Sequence, residues 1–211
     1  FTAFRTRYPG VRWMTAYAAL SLGLLDWQGK NVKTATREFK EGFGILDKGV
    51  EPEAPPELRE LAGKVRIAMG EIWAEQFREV KLVIPLEKSL ARKDQFFRRA
   101  LEEFGKAQRE APLEVSVTAS RWSGDLLLEF GKAILSSQRP KGMTRGEGET
   151  YENALAARAR TYFERALDWY SGSLERLGVE EGRASLAVPI RQRMLEAQRL
   201  MAEITLEPEK P

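Results

Sequence analysis

The sequence predicts an all-α fold of about seven helices, paired into antiparallel hairpins that stack as one domain over residues 1–211. Three observations carry this. Strand signals are nearly absent, apolar residues recur at helical spacing along the chain, and one short pattern occurs three times. That pattern is a small residue, Phe four positions later, and a second small residue three positions after that.

Taken in order, residues 11–28 form the first helix, with Trp13, Tyr17, Leu20, Leu24 and Trp27 on one stripe and Gly29 as the break. A second helix covers 30–47 with Phe39, Phe43 and Leu46 apolar, and Gly49 caps it. The stretch "EPEAPPE" (51–57) is a stiff turn. Pro56 suits the first turn of a third helix, which carries Leu58, Leu61, Val65, Ala68, Ile72 and Phe77 toward Leu82. Pro85 kinks or ends it. A fourth helix spans 94–110 and is closed by Pro112. The two β-branched runs "KLVIPL" (81–86) and "LEVSVTA" (113–119) read as helical or as helix starts. A fifth helix covers 115–137 with Trp122, Leu126, Phe130 and Ala133 on its stripe. "SSQRPKGMTRGEGE" (136–149) is the longest loop, rich in Gly and charge and expected to be mobile. The sixth helix, 151–177, is heavily aromatic and ends at Gly178. The seventh, 183–204, carries Ile190, Met194, Ala197 and Met201, and the tail 207–211 is polar and frayed.

Composition excludes much chemistry. At 211 residues and 43% hydrophobic, the chain can bury a core. Lys and Arg number 34 against 31 acidic residues, and that small excess does not make a nucleic-acid surface. With no Cys and no His, disulfides, thiolate nucleophiles, Ser-His-Asp triads, thiolate zinc sites and a histidine switch all fall away. No apolar run approaches the ~20 residues of a membrane helix. The chain begins at Phe1 rather than Met, so it is expected to be a mature form or a piece of a longer protein, with any signal or anchor upstream.

The repeated pattern is Ala35, Phe39, Gly42, then Ala100, Phe104, Ala107, then Ala159, Phe163, Ala166. Spacings of four and three put each trio on one helix face, where small residues admit a neighbouring helix and Phe fills the gap. Each trio falls on the second helix of a hairpin (11–48, 56–111 and 115–177), with 183–204 as a terminal helix. The pattern resembles the second helix of the tetratricopeptide repeat family, and Pro112 matches its closing proline. Leu22 and Gly23 fit the family's Leu-Gly pair, and Gly70 and Gly131 are the corresponding glycines of the later units. The resemblance implies a right-handed solenoid whose first helices line a concave, partner-binding face. The copies lie about sixty residues apart, against roughly 34 in the family. Either the hairpins are lengthened or a degenerate repeat lies between them. An ordinary α-bundle is the simpler alternative.

No enzyme motif survives inspection. "RGEGET" (145–150) has no preceding strand and is not a phosphate loop. The adjacent pairs Glu102–Glu103 and Glu180–Glu181 point to different faces, and Arg98–Arg99 is helix surface. On the fifth helix Arg121, Asp125, Leu128 and Lys132 follow a second stripe, offset from that of Trp122. If the resemblance holds, these four face the groove with Tyr17 and Trp27 as counterparts; otherwise they are a solvated face. The expected function is a non-catalytic scaffold, without cofactor or metal, that captures a segment of a protein partner. Alternatives are a structural spacer in a larger cell-envelope assembly, and a small-ligand binder or enzyme with an inter-helix pocket. A bacterial periplasm or envelope is expected over the cytoplasm.

Overall fold

Prolines and one capping box decide where most of the long helices begin. The computed structural model describes residues 11–49, 51–178 and 183–206. Among these residues it is all-helical: α1 (Arg12–Gln28), α2 (Val32–Leu46), α3 (Glu57–Glu79), α4 (Leu86–Glu110), α5 (Leu113–Leu135), α6 (Arg145–Leu177) and α7 (Ala184–Leu206). Pro56, Pro85 and Pro112 stand immediately before α3, α4 and α5, where a missing N–H costs no helical hydrogen bond. Gly178, at φ +65°, closes α6. The tail 207–211 and the Glu180–Glu181 pair lie outside the described residues.

Two expectations are corrected. The run 81–85 is not helical. It is an extended linker, anchored by buried Leu82 and tied to the segment after α5: the Gln138 N–H donates to Leu82 O (2.9 Å), and the Ile84 N–H donates to Gln138 Oε1 (3.0 Å). The buried Lys93 ammonium donates to Phe77 O (2.6 Å) and Val80 O (2.9 Å), satisfying carbonyls at the end of α3. Helix α4 therefore starts at Leu86, eight residues before the expected position. The loop expected over 136–149 shrinks to 136–144, because Thr144 and Glu147 form a capping box that starts α6 at Arg145. "RGEGET" lies in the first turns of that helix.

Helix α1 packs on α2, α3 on α4, and α5 on α6. The odd helices also touch in series, α1 on α3, α3 on α5 and α5 on α7, while α4 packs on α5 and α6 on α7. Inside each pair, a glycine of the first helix meets the phenylalanine of the second. A Cβ placed on Gly23, Gly70 or Gly131 would fall closer than 3.0 Å to ring carbons of Phe39, Phe104 or Phe163 respectively. All three rings are fully buried. A second small position lies seven residues earlier, at Ala16, Gly63 and Gly124. Gly63 receives Ala111 and Gly124 receives the Tyr170 ring, each seven residues after the matching Phe.

Lengthened arms account for the wide spacing of the copies. Three residues of α2 precede Ala35, but fourteen of α4 precede Ala100 and fourteen of α6 precede Ala159. No further helix intervenes among the described residues. The core divides into two clusters: one joins α1, α2 and the start of α3, and the other joins the rest of α3 with α4 to α7.

Candidate interaction groove

The serial contact of α3, α5 and α7 gathers charged side chains on one side of the stack. Glu71, Glu75 and Arg78 are spaced by four and three on α3 and so share a face. Arg78 bridges to α5 with a two-pronged pair, Nε to Glu129 Oε2 (2.8 Å) and Nη2 to Glu129 Oε1 (3.1 Å). From α7, Arg193 approaches Asp125 (3.3 Å) and binds Glu196 (2.8 Å), and Lys132 pairs with Glu196. Of these, Arg78, Asp125, Glu129, Arg193 and Glu196 line a cleft of about 550 Å³, together with Arg121, Trp122 and Pro189.

Burial sets the electrostatics. It pushes the Glu71 carboxyl up to about 7, with Glu75 adding to the shift and Arg78 and Arg121 opposing it. It also pushes Asp125 up, against the Tyr170 hydroxyl and the Arg193 guanidinium. The Tyr170 hydroxyl donates to Asp125 Oδ1 at 2.7 Å, and its own ionisation is pushed far up by burial and by that carboxylate. Burial would raise Glu196 too, but hydrogen bonds from Lys132 and Arg193 hold it below its ordinary value. Glu71 and Arg121 have no ion pair among the described residues. The Arg121 guanidinium lies over its neighbour Trp122, 5.2 Å from the ring centroid.

The expected stripe is only partly a surface. Leu128 is 1% exposed and Asp125 5% exposed, so neither is free to meet a partner. The reason is the position of α5, which is covered by α3, α4, α6 and α7 together. Arg121 is half-buried and lines the cleft, whereas Lys132, also half-buried, does not line it and is paired with Glu196. Tyr17 and Trp27 are half-buried against the first core cluster on α1 and do not line this cleft. Glu71, Arg78, Glu129, Arg193 and Glu196 were not singled out by the sequence. Glu129, four residues after Asp125, was within reach of a spacing argument. Arg193 and Glu196 were not, since only the return of α7 onto α5 brings them in.

Chemically, the cleft offers charge recognition: paired guanidinium and carboxylate groups beside an indole. Among the described residues no three carboxylates gather as metal ligands would, and no helix is long and apolar enough to cross a membrane.

No family model and no curated protein matches the chain. Among solved structures it is similar to the DHF79 filament, at 17% identity over 94% of this chain and 89% of that one. The TM-score of 0.32 is too low for that likeness to support any statement about fold or role.

Proposed function

We propose that this chain is a non-catalytic protein–protein interaction module, built as a tetratricopeptide-like stack of long hairpins, and that it holds a segment of a partner protein along α3, α5 and α7. The single observation behind this reading is the α3/α5/α7 cleft with Arg121, in no ion pair among the described residues, at its wall. An arginine in no ion pair is a site where a partner's carboxylate binds with little competition. The threefold Gly–Phe register supports the repeat character, since each unit reuses one packing solution.

The test is co-purification from the source organism with the tagged protein, comparing wild type, Arg121→Lys and Arg121→Glu. The expected result is a partner recovered with wild type, retained by the lysine variant and lost with the glutamate variant. An identical partner set for all three rejects the groove. A second reading is that the chain is a structural spacer of a larger envelope assembly. Val188 and Leu195, exposed and seven residues apart on α7, favour it. Self-association in solution that is lost in Leu195→Asp supports that reading, and a strict monomer counts against it.

A further inference from the structure

The three hairpins are unequal, and the inequality leaves a helix-packing face uncovered. Helix α4 extends eleven residues further before its repeat alanine than α2 does, about 16 Å of helix. The first hairpin covers α3 only through Ile72. Trp73, the next residue, belongs to the other cluster and stacks on Phe96 of α4, with centroids 6.3 Å apart. The stripe that α3 turns toward the first hairpin is Leu61, Val65, Ala68 and Ile72. It continues at the same spacing through Gln76 and Glu79, whose side chains are exposed.

At that overhang lies a cleft of about 500 Å³ between the end of α3, the linker and the start of α4. Val80, Pro85 and Phe96 give it an apolar wall, and the linker holds Val83 and Ile84 in the open at 46% and 42% exposure. That exposure is fixed in place. The Ser89 hydroxyl donates to Val83 O (2.8 Å) and accepts the Val83 N–H (3.1 Å), and Gln138 holds Ile84. Around the rim stand Lys81, Lys88 and Arg92, none in an ion pair among the described residues, against one carboxylate, Glu79. A preformed apolar strip with three free cations is complementary to an acidic amphipathic segment. Its setting is the flank of a helical hairpin, shaped to receive another helix.

We propose that this overhang is a second protein-binding surface, one that takes an acidic amphipathic helix of a partner laid on α3 and α4 where the first hairpin stops. It does not depend on the α3/α5/α7 groove, because the two clefts share no lining residue.

The probe is a fluorescein-labelled amphipathic peptide of about 15 residues, with Glu on its polar face and Leu on its apolar face. The same peptide with Lys for Glu is the control, and the protein is the intact chain. Anisotropy should show saturable binding of the acidic peptide and none of the basic one. K81E/K88E/R92E should weaken it at least about tenfold, and V83S/I84S should weaken it with the charges intact. All five substituted residues are exposed, and both variants should keep the wild-type circular dichroism spectrum. Methyl NMR shifts should centre on Val83 and Ile84. Arg121→Glu should leave the binding unchanged, which separates this surface from the groove. Absence of saturable binding overturns the proposal, as does indifference to both variants. Binding of the triple-lysine-arginine surface to phosphatidylglycerol vesicles in place of the acidic peptide also overturns it.

Discussion

Gly70→Ala tests whether the Gly–Phe register holds the hairpins together. Position 70 is helical, so propensity alone predicts a gain of about 1 kcal/mol from alanine. Packing predicts the opposite. The new Cβ would come within 3.0 Å of three ring carbons of Phe104, Cδ1, Cε1 and Cζ, whereas carbon atoms rest at about 3.5–4.0 Å. The ring would have to retreat by about 1 Å to restore that separation. It has little room to do so: Phe104 is fully buried, and it stacks on Trp122 with centroids 6.3 Å apart. Overpacking of this kind costs about 1–3 kcal/mol, and the blocked retreat puts it near the upper end. After the propensity gain, about 1–2 kcal/mol of net destabilisation remains, or a Tm lower by about 2–8 °C for a domain of this size. Urea and thermal unfolding followed by far-UV circular dichroism would measure it. The reference is Gly44→Ala on α2, whose added Cβ meets nothing within 4 Å and which should gain about 0.5–1 kcal/mol. In a Phe104→Leu background the cost of Gly70→Ala should shrink or change sign. A Gly70→Ala protein as stable as wild type would refute the reasoning.

Two further predictions concern buried polar groups near the groove. Tyr170→Phe removes the hydroxyl that serves buried Asp125 and leaves that carboxylate with Arg193 at 3.3 Å; urea unfolding should show a loss of about 1–3 kcal/mol. Glu71 moves from 4.5 to about 7 on folding, so between those pH values the native protein keeps a proton that the unfolded chain has released. Stability therefore falls as pH rises through that window, and stays reduced above it. Glu71→Gln should raise Tm relative to wild type at about pH 8, with the difference gone by about pH 4. A constant difference at both pH values would show that Glu71 is not the group responsible.

Much of the fold was legible because helical period and small-residue spacing are local signals. Phe39, Phe104 and Phe163 and their flanking small residues could be read as one repeated face, and Gly23, Gly70 and Gly131 could be placed on the preceding helices by resemblance, whereas the contact of each glycine with its Phe ring comes from the packing. The boundaries that went wrong were decided by particular groups. Lys93 satisfies carbonyls at the end of α3, Gln138 ties the extended 81–85 linker from a distance, and the Thr144–Glu147 capping box starts α6 at Arg145. The capping box is a local Thr-x-x-Glu pattern that the sequence carries; the Gln138 tie spans over fifty residues and has no local pattern.

The groove was much less legible. The spacing of Arg121, Asp125, Leu128 and Lys132 marks a stripe on α5, and spacing alone cannot say what lies over it. Helix α7 covers part of that stripe, buries Asp125 beside Tyr170, and contributes Arg193 and Glu196 from some seventy residues away. By itself the sequence determined that the chain is helical, which face of each second helix carries the Phe, and that histidine and cysteine chemistry is absent. Those properties follow from composition and from spacings within one helix. The tertiary structure alone decided which charged groups meet, which stripe is buried, and where the longer second hairpin runs past the first. Those depend on the lengths and packing of several helices at once, and no local pattern encodes that sum.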